Sequence, residues 1–125
     1  MSRNTDLTYL DCGSNQIKEL DITQNIALTE LWCNNNILTN LDVSKNTALT
    51  FLRLDGNQLT SLDVSQNIAL TDLNCNYNIL SQLNITQNIA LTNVDCRFNQ
   101  LSSLDARNGH NSSILDLLAT DNPHL

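Results

Sequence analysis

The sequence predicts a β-solenoid, a stack of short turns each made of two extended segments, and three observations predict it. The first is a block that returns every 21 residues without a slip, starting at Leu7, Leu28, Leu49, Leu70 and Leu91. The copy from Leu28 reads LTELWCNNNILTNLDVSKNTA, and the next reads LTFLRLDGNQLTSLDVSQNIA. A fixed period in this range marks stacked repeats rather than an ordinary globule. The second observation is strand-like alternation within each copy, and the third is a pair of asparagine columns at its bends.

Each copy divides into two similar halves. The first carries Leu28, Leu31, Cys33 and Asn36; the second carries Leu38, Leu41, Val43 and Asn46. Leu31/Cys33 and Leu41/Val43 alternate with polar residues, which is strand periodicity, and neither half holds a helical pattern over ten residues. Each turn should therefore hold two extended segments and no helix.

Asn15, Asn36, Asn57, Asn78 and Asn99 form one column, and Asn25, Asn46, Asn67 and Asn88 another. An amide turned inward can bond backbone groups of its own turn and of the next one. Left buried and unbonded, those groups would cost about 1–3 kcal/mol each. Ala27, Ala48, Ala69 and Ala90 mark a tight corner.

Cys12, Cys33, Cys75 and Cys96 share one position, which Leu54 fills in the third copy. A site that accepts Cys or Leu is used as a small buried hydrophobe. Metal binding needs closely spaced cysteine clusters, and inward thiols in register suit a disulfide poorly. No metal or cofactor is expected.

These residues carry a resemblance. The pattern L-x-x-L-x-[C/L]-x-x-N-x-[L/I] resembles a leucine-rich repeat. Its continuation L-D-[V/I]-[S/T]-x-N-x-A resembles the short repeats of bacterial, Bacteroidetes-type secreted and cell-surface proteins. The resemblance runs from Leu7 to Leu104 and implies a right-handed solenoid, with parallel strands on a concave side that does the binding. Longer leucine-rich repeats carry convex helices, for which 21 residues leave no room. With strands stacked about 4.8 Å apart on both sides, the array should be nearly straight. The same resemblance implies an extracellular or cell-surface location and an adhesive role.

The chain of 125 residues reads as a single solenoid domain, 1–125, that opens and stops in mid-repeat, as part of a longer array would. Between Leu104 and the next repeat-like segment it runs about two residues long, accommodated by the Asn108-Gly109 turn signal. Ile114 to Asn122 then restarts a turn, with Leu117 and Ala119 inward and Asn122 on the ladder.

Burying the leucine and cysteine columns turns the intervening residues outward. Tyr9, Glu30, Phe51, Asp72, Asn93 and Asp116 form the first outward column; Asp11, Trp32, Arg53, Asn74, Asp95 and Leu118 form the second. Arg97 lies in a third, flanked by Tyr77 and Phe98. These positions vary from copy to copy, and all five aromatic residues fall here. Trp, Tyr and Arg dominate the energetics of recognition surfaces. Strand propensity alone would also put aromatics on strands, but it would not spare the second segment of every copy. The candidate ligand-binding face is Tyr9, Asp11, Glu30, Trp32, Phe51, Arg53, Asp72, Asn74, Tyr77, Asp95, Arg97 and Phe98.

The outward face of the second half is monotonous: Asp21, Asp42, Asp63, Asn84 and Asp105 beside Thr23, Ser44, Ser65, Thr86 and Arg107. Stacked carboxylates could hold calcium, or each could bond the amides of its own bend. Asn84 interrupts the column, which favours the second reading.

Thirteen acidic and six basic side chains give a net charge of −7, which argues against nucleic acid and anionic membranes as partners. No apolar run reaches membrane-span length, and no signal-peptide pattern opens the chain. The histidines, His110 and His124, lack an evident nucleophile or carboxylate partner, and an open sheet cannot desolvate an acid enough to tune it. The chain is therefore read as a non-enzymatic module that binds a protein partner. The alternatives are a glycan-binding surface and a structural spacer in a larger surface protein. Strand edges at both ends predict self-association.

Overall fold

The computed structural model describes residues 4–109 and 114–125. His110, the three residues after it and the first three residues lie outside that range. Eight three-residue strands follow in order: β1 Tyr9–Asp11, β2 Glu30–Trp32, β3 Phe51–Arg53, β4 Asp72–Asn74, β5 Gln82–Asn84, β6 Asn93–Asp95, β7 Ser103–Asp105 and β8 Asp116–Leu118. No helix occurs among the described residues.

The first halves of the copies build one six-stranded parallel sheet, β1-β2-β3-β4-β6-β8, in strict register. Leu10, Leu31, Leu52, Leu73, Val94 and Leu117 stand in line, one per strand. Asn93 pairs with Asp116, two residues further along than the regular step, so the extra length is looped out without disturbing the sheet. A single turn of this size cannot bury its own apolar face; stacking makes the core continuous. Leu28, Leu49, Leu70 and Leu91 are fully buried, as are Leu38, Leu59, Leu80 and Leu101.

The second halves differ from expectation. Ile22, Val43, Val64 and Ile85 point inward as predicted, but only β5 and β7 pair as strands. Side chains close the bends on this side. Asp21, Asp42, Asp63, Asn84 and Asp105 each accept a hydrogen bond from the amide two residues on, at 2.9–3.2 Å. Asn84 and Asp105 make this same bond within the paired β5 and β7, so the side-chain turns coexist with the ladder. These are the bend bonds that the second reading of the column expects.

Both asparagine columns point inward, with one correction. Asn57 Nδ2 donates to Leu54 O of its own turn and to Cys33 O of the preceding one, while its Oδ1 accepts the Leu38 amide. The reach is backwards, toward the turn already made. Asn46, Asn67 and Asn88 likewise reach back to two carbonyls each, and their Oδ1 atoms make no hydrogen bond. The one-residue-early Asn108 continues this column, donating to Asn88 O at 3.3 Å with Gly109 turning at φ 72° behind it.

All four cysteines are free thiols. Burial pushes Cys96 up to about 11 and Cys75 well above its ordinary value. Cys12, in the first turn, is only half-buried; its hydrogen bond with Cys33 lowers its own pKa and, together with burial, raises that of Cys33. In the last described turn Leu117 holds its register and is 41% exposed. Asn122 is buried on the ladder as expected, donating to Cys96 O and Ala119 O.

Candidate functional site

The outward residues of the six-stranded sheet come together in two groups rather than one. Register alone makes the first. Tyr9, Glu30 and Phe51 are successive partners across β1, β2 and β3, and Asp11, Trp32 and Arg53 stand beside them. Side chains on one face of paired strands lie close enough to interact. The Trp32 ring sits edge-on to Tyr9 at 6.1 Å and tilted against Phe51 at 5.7 Å. The Arg53 guanidinium lies 5.5 Å over the indole, an electrostatically favourable stack. The indole Nε1 is buried without a hydrogen bond, so packing alone holds this ring.

The second group sits beyond the strands. Tyr77 and Phe98 follow β4 and β6 on the bend, and their rings stack at 4.3 Å, within 10° of parallel. Both have positive φ, 50° and 53°, in the column shared by Ser14, Asn35, Gly56 and Asp121. That conformation is unfavourable for a bulky side chain by roughly 1–2 kcal/mol. Two aromatic residues nonetheless occupy it in successive turns. The expectation of a single aromatic strand face is thus corrected to a strand cluster and a bend pair.

The charges are largely arranged in-house. Arg97 clamps Asp95 through two bonds, Nε to Oδ1 at 2.9 Å and Nη2 to Oδ2 at 2.8 Å. Partial burial works against the Asp95 carboxylate, but Arg97 and the 2.7 Å bond from Asn76 hold its pKa below the ordinary value. Arg53 Nε bonds Asp55 at 2.9 Å. Asp72 receives neutral donors, Asn93 Nδ2 at 2.7 Å and Thr71 Oγ1 at 2.8 Å. Asn74 accepts the Asn76 amide. Burial, then the carboxylates of Asp11 and Glu30, raise the pKa of Tyr9.

A depression of ≈ 280 Å³ opens on this face between Phe51 and Leu118, rimmed by Asp72, Asp95 and Asp116. Two larger troughs, ≈ 530 and ≈ 560 Å³, lie on the second-half face. Size does not favour them as sites. Asp21 and Asn84 in their walls are already bonded to Thr23 and Thr86, and Asp63 to Ser65. No group of three metal-ligating side chains occurs among the described residues.

Sequence reasoning missed two features here. Leu118, Asp116 and Asn93 belong to the outward columns yet were not singled out, although they line the depression. Ile26, Ile68 and Ile89, 48–62% exposed, form an aliphatic stripe at the bend beside the small alanines. The alternation of the strands carried no signal for it, because these residues lie outside the strands.

No protein-family profile matches the sequence, and no curated protein does. Solved structures do. The functional domain of InlJ from Listeria monocytogenes, described as including a cysteine ladder, superposes with a TM-score of 0.94 at 35% identity, covering 99% of this chain and 27% of that one. A leucine-rich-repeat protein of Leptospira interrogans gives 0.89 at 25% identity, covering 97% and 33%. The leucine-rich-repeat ectodomain of the receptor kinase SOBIR1 from Arabidopsis thaliana gives 0.69 at 20%, covering 83% and 62%. The chain thus spans about a third or less of the length of the two bacterial chains.

Proposed function

We propose that this chain, which belongs to the leucine-rich-repeat proteins, is a non-enzymatic recognition module that binds a protein partner through the outward face of its six-stranded sheet. One observation carries this reading. The Tyr9–Trp32–Phe51 cluster, with Arg53 over the indole, stands on the outward face of the sheet, where Tyr9 is 47% exposed. The composition of that face is the composition of interface hot spots. The scaffold residues beneath it repeat almost unchanged, while these vary. An extracellular or cell-surface location fits the bacterial leucine-rich-repeat proteins and the receptor ectodomain that share the fold.

A glycan-binding surface is the second reading, and the bend pair favours it. Tyr77 is 57% exposed and Phe98 37%, stacked beside Asp95 and Asn76, and flat rings next to polar groups suit sugar rings. The two readings separate in one experiment. The wild-type chain and its Trp32→Ala variant are tested against a glycan array and against phage-displayed random dodecapeptides. Peptides that bind the wild type and lose binding to Trp32→Ala support the protein reading. Binding to glycans alone, lost in a Tyr77→Ala/Phe98→Ala variant, replaces it with the second. No binding in either arm leaves the chain as a spacer.

A further inference from the structure

Resting on the protein-binding reading of this face, we infer that the partner is basic: an extended segment whose lysine or arginine side chain enters the depression between Phe51 and Leu118. The depression crosses β3, β4, β6 and β8. Its apolar surface comes from Phe51, and from Leu118, which is 41% exposed at the edge strand. Carboxylates of Asp72, Asp95 and Asp116 stand around its mouth. A long cationic side chain has this same construction, an apolar stem and a charged head.

The disposition of the face's own cations decides the sign of the partner. Arg97 is spent on Asp95 with both arms of its fork, and Arg53 on Asp55. Asp72 is held by neutral donors only. Among the described residues, Glu30, Asp72 and Asp116 have no cation within salt-bridge distance. The lysines do not serve this face: Lys18 lines a trough on the other side, and Lys45 lies near Asp42. An acidic partner would meet unbalanced carboxylates, whereas a basic one supplies the missing counter-charge. The net charge of −7 steers approach in the same direction.

The displayed dodecapeptides test this when the selected pool is sequenced and rebound to an Asp72→Asn/Asp116→Asn variant. The expected result is a pool enriched in lysine and arginine over the input. Its binding should fall about tenfold on the double variant and weaken steadily as sodium chloride is raised. Both substitutions keep shape and lie on the surface, and an unchanged unfolding midpoint checks the fold. Peptides that need Trp32 but show no basic enrichment, or bind the double variant equally well, or ignore salt, overturn this inference and leave the protein-binding reading standing. Peptides indifferent to Trp32→Ala, or the absence of any enriched peptide, overturn both.

Discussion

The two sides of each turn solve the same problem in opposite ways. On the first-half side, backbone hydrogen bonds run from strand to strand through six strands, and the outward side chains change in every copy. On the second-half side, pairing is confined to β5 and β7, and the outward side chains scarcely change. The difference follows from who does the bonding. Where the backbone carries the stack, outward side chains such as Glu30, Trp32 and Phe51 have no bend to close and are free to specialise, while Asp11, Asn74 and Asp95 still accept the amide two residues on. Where aspartate oxygens hold each bend, the side chain is part of the scaffold and cannot be spared.

The asparagine columns offer the largest test of this contrast. Asn57 satisfies two carbonyls and one amide, so Asn57→Ala should destabilise by about 3 kcal/mol. Asn67 satisfies two carbonyls and leaves its own Oδ1 unbonded, so Asn67→Ala should cost about 2 kcal/mol. Denaturant unfolding of both variants checks the ranking; a reversed order would mean the second column matters more than its bonds suggest.

Outward positions give a smaller, sharper comparison. Asp63→Ala removes a bend-closing acceptor and should lose about 1 kcal/mol, as a lost helix cap does. Glu30→Ala, on the variable face, should stay within about 0.5 kcal/mol of wild type. Equal losses at the two sites would erase the distinction between the faces.

Acid should act on the constant side. Arg107 and its amide hold Asp105 down to about 2 from the ordinary 3.8, and Ser44 and Ser65 lower Asp42 and Asp63. A depressed folded pKa stabilises above the unfolded value and is lost as pH falls through the folded one. Thermal midpoints should therefore drop between pH 3.8 and about 2, less steeply in Asp105→Asn. A flat profile over that interval would contradict the assignment.

A small net effect is expected at the bend pair, where two opposing contributions offset. Tyr77→Gly relieves roughly 1–2 kcal/mol of backbone strain and forfeits about 0.5–1.5 kcal/mol of ring stacking. The stability should move by less than about 1 kcal/mol, despite the loss of a whole ring. A larger fall in chemical denaturation would show that the ring supports the fold as well as the surface.

Most of the fold was legible because in-register stacking repeats its demands: a leucine inside, an asparagine at each bend, an alanine at the corner. The same repetition made the outward columns readable as columns. What could not be read was which second halves pair as strands, since the same residues make the same bend bonds in paired and unpaired copies alike. Nor could spacing show that Tyr77 and Phe98 sit past the strands at positive φ, where Gly56 is the natural occupant. The depression combines residues of four turns, Phe51, Asp72, Asp95 and Leu118 among them, and no single copy announces it.

The backward reach of the asparagines gives the molecule a direction. Carbonyls of Cys33 wait for Asn57, those of Leu54 for Asn78, and those of Cys75 for Asn99. Every turn is sealed by the one synthesised after it. A nascent chain emerging amino-terminus first would thus lay each new coil onto a surface with acceptors already in place, growing from one end as a crystal face does. Loss of a coil at the leading end strips the last sealed carbonyls of their donors. Loss at the trailing end instead frees asparagine amide arms together with backbone amides such as those of Thr29 and Glu30, which bond Thr8 O.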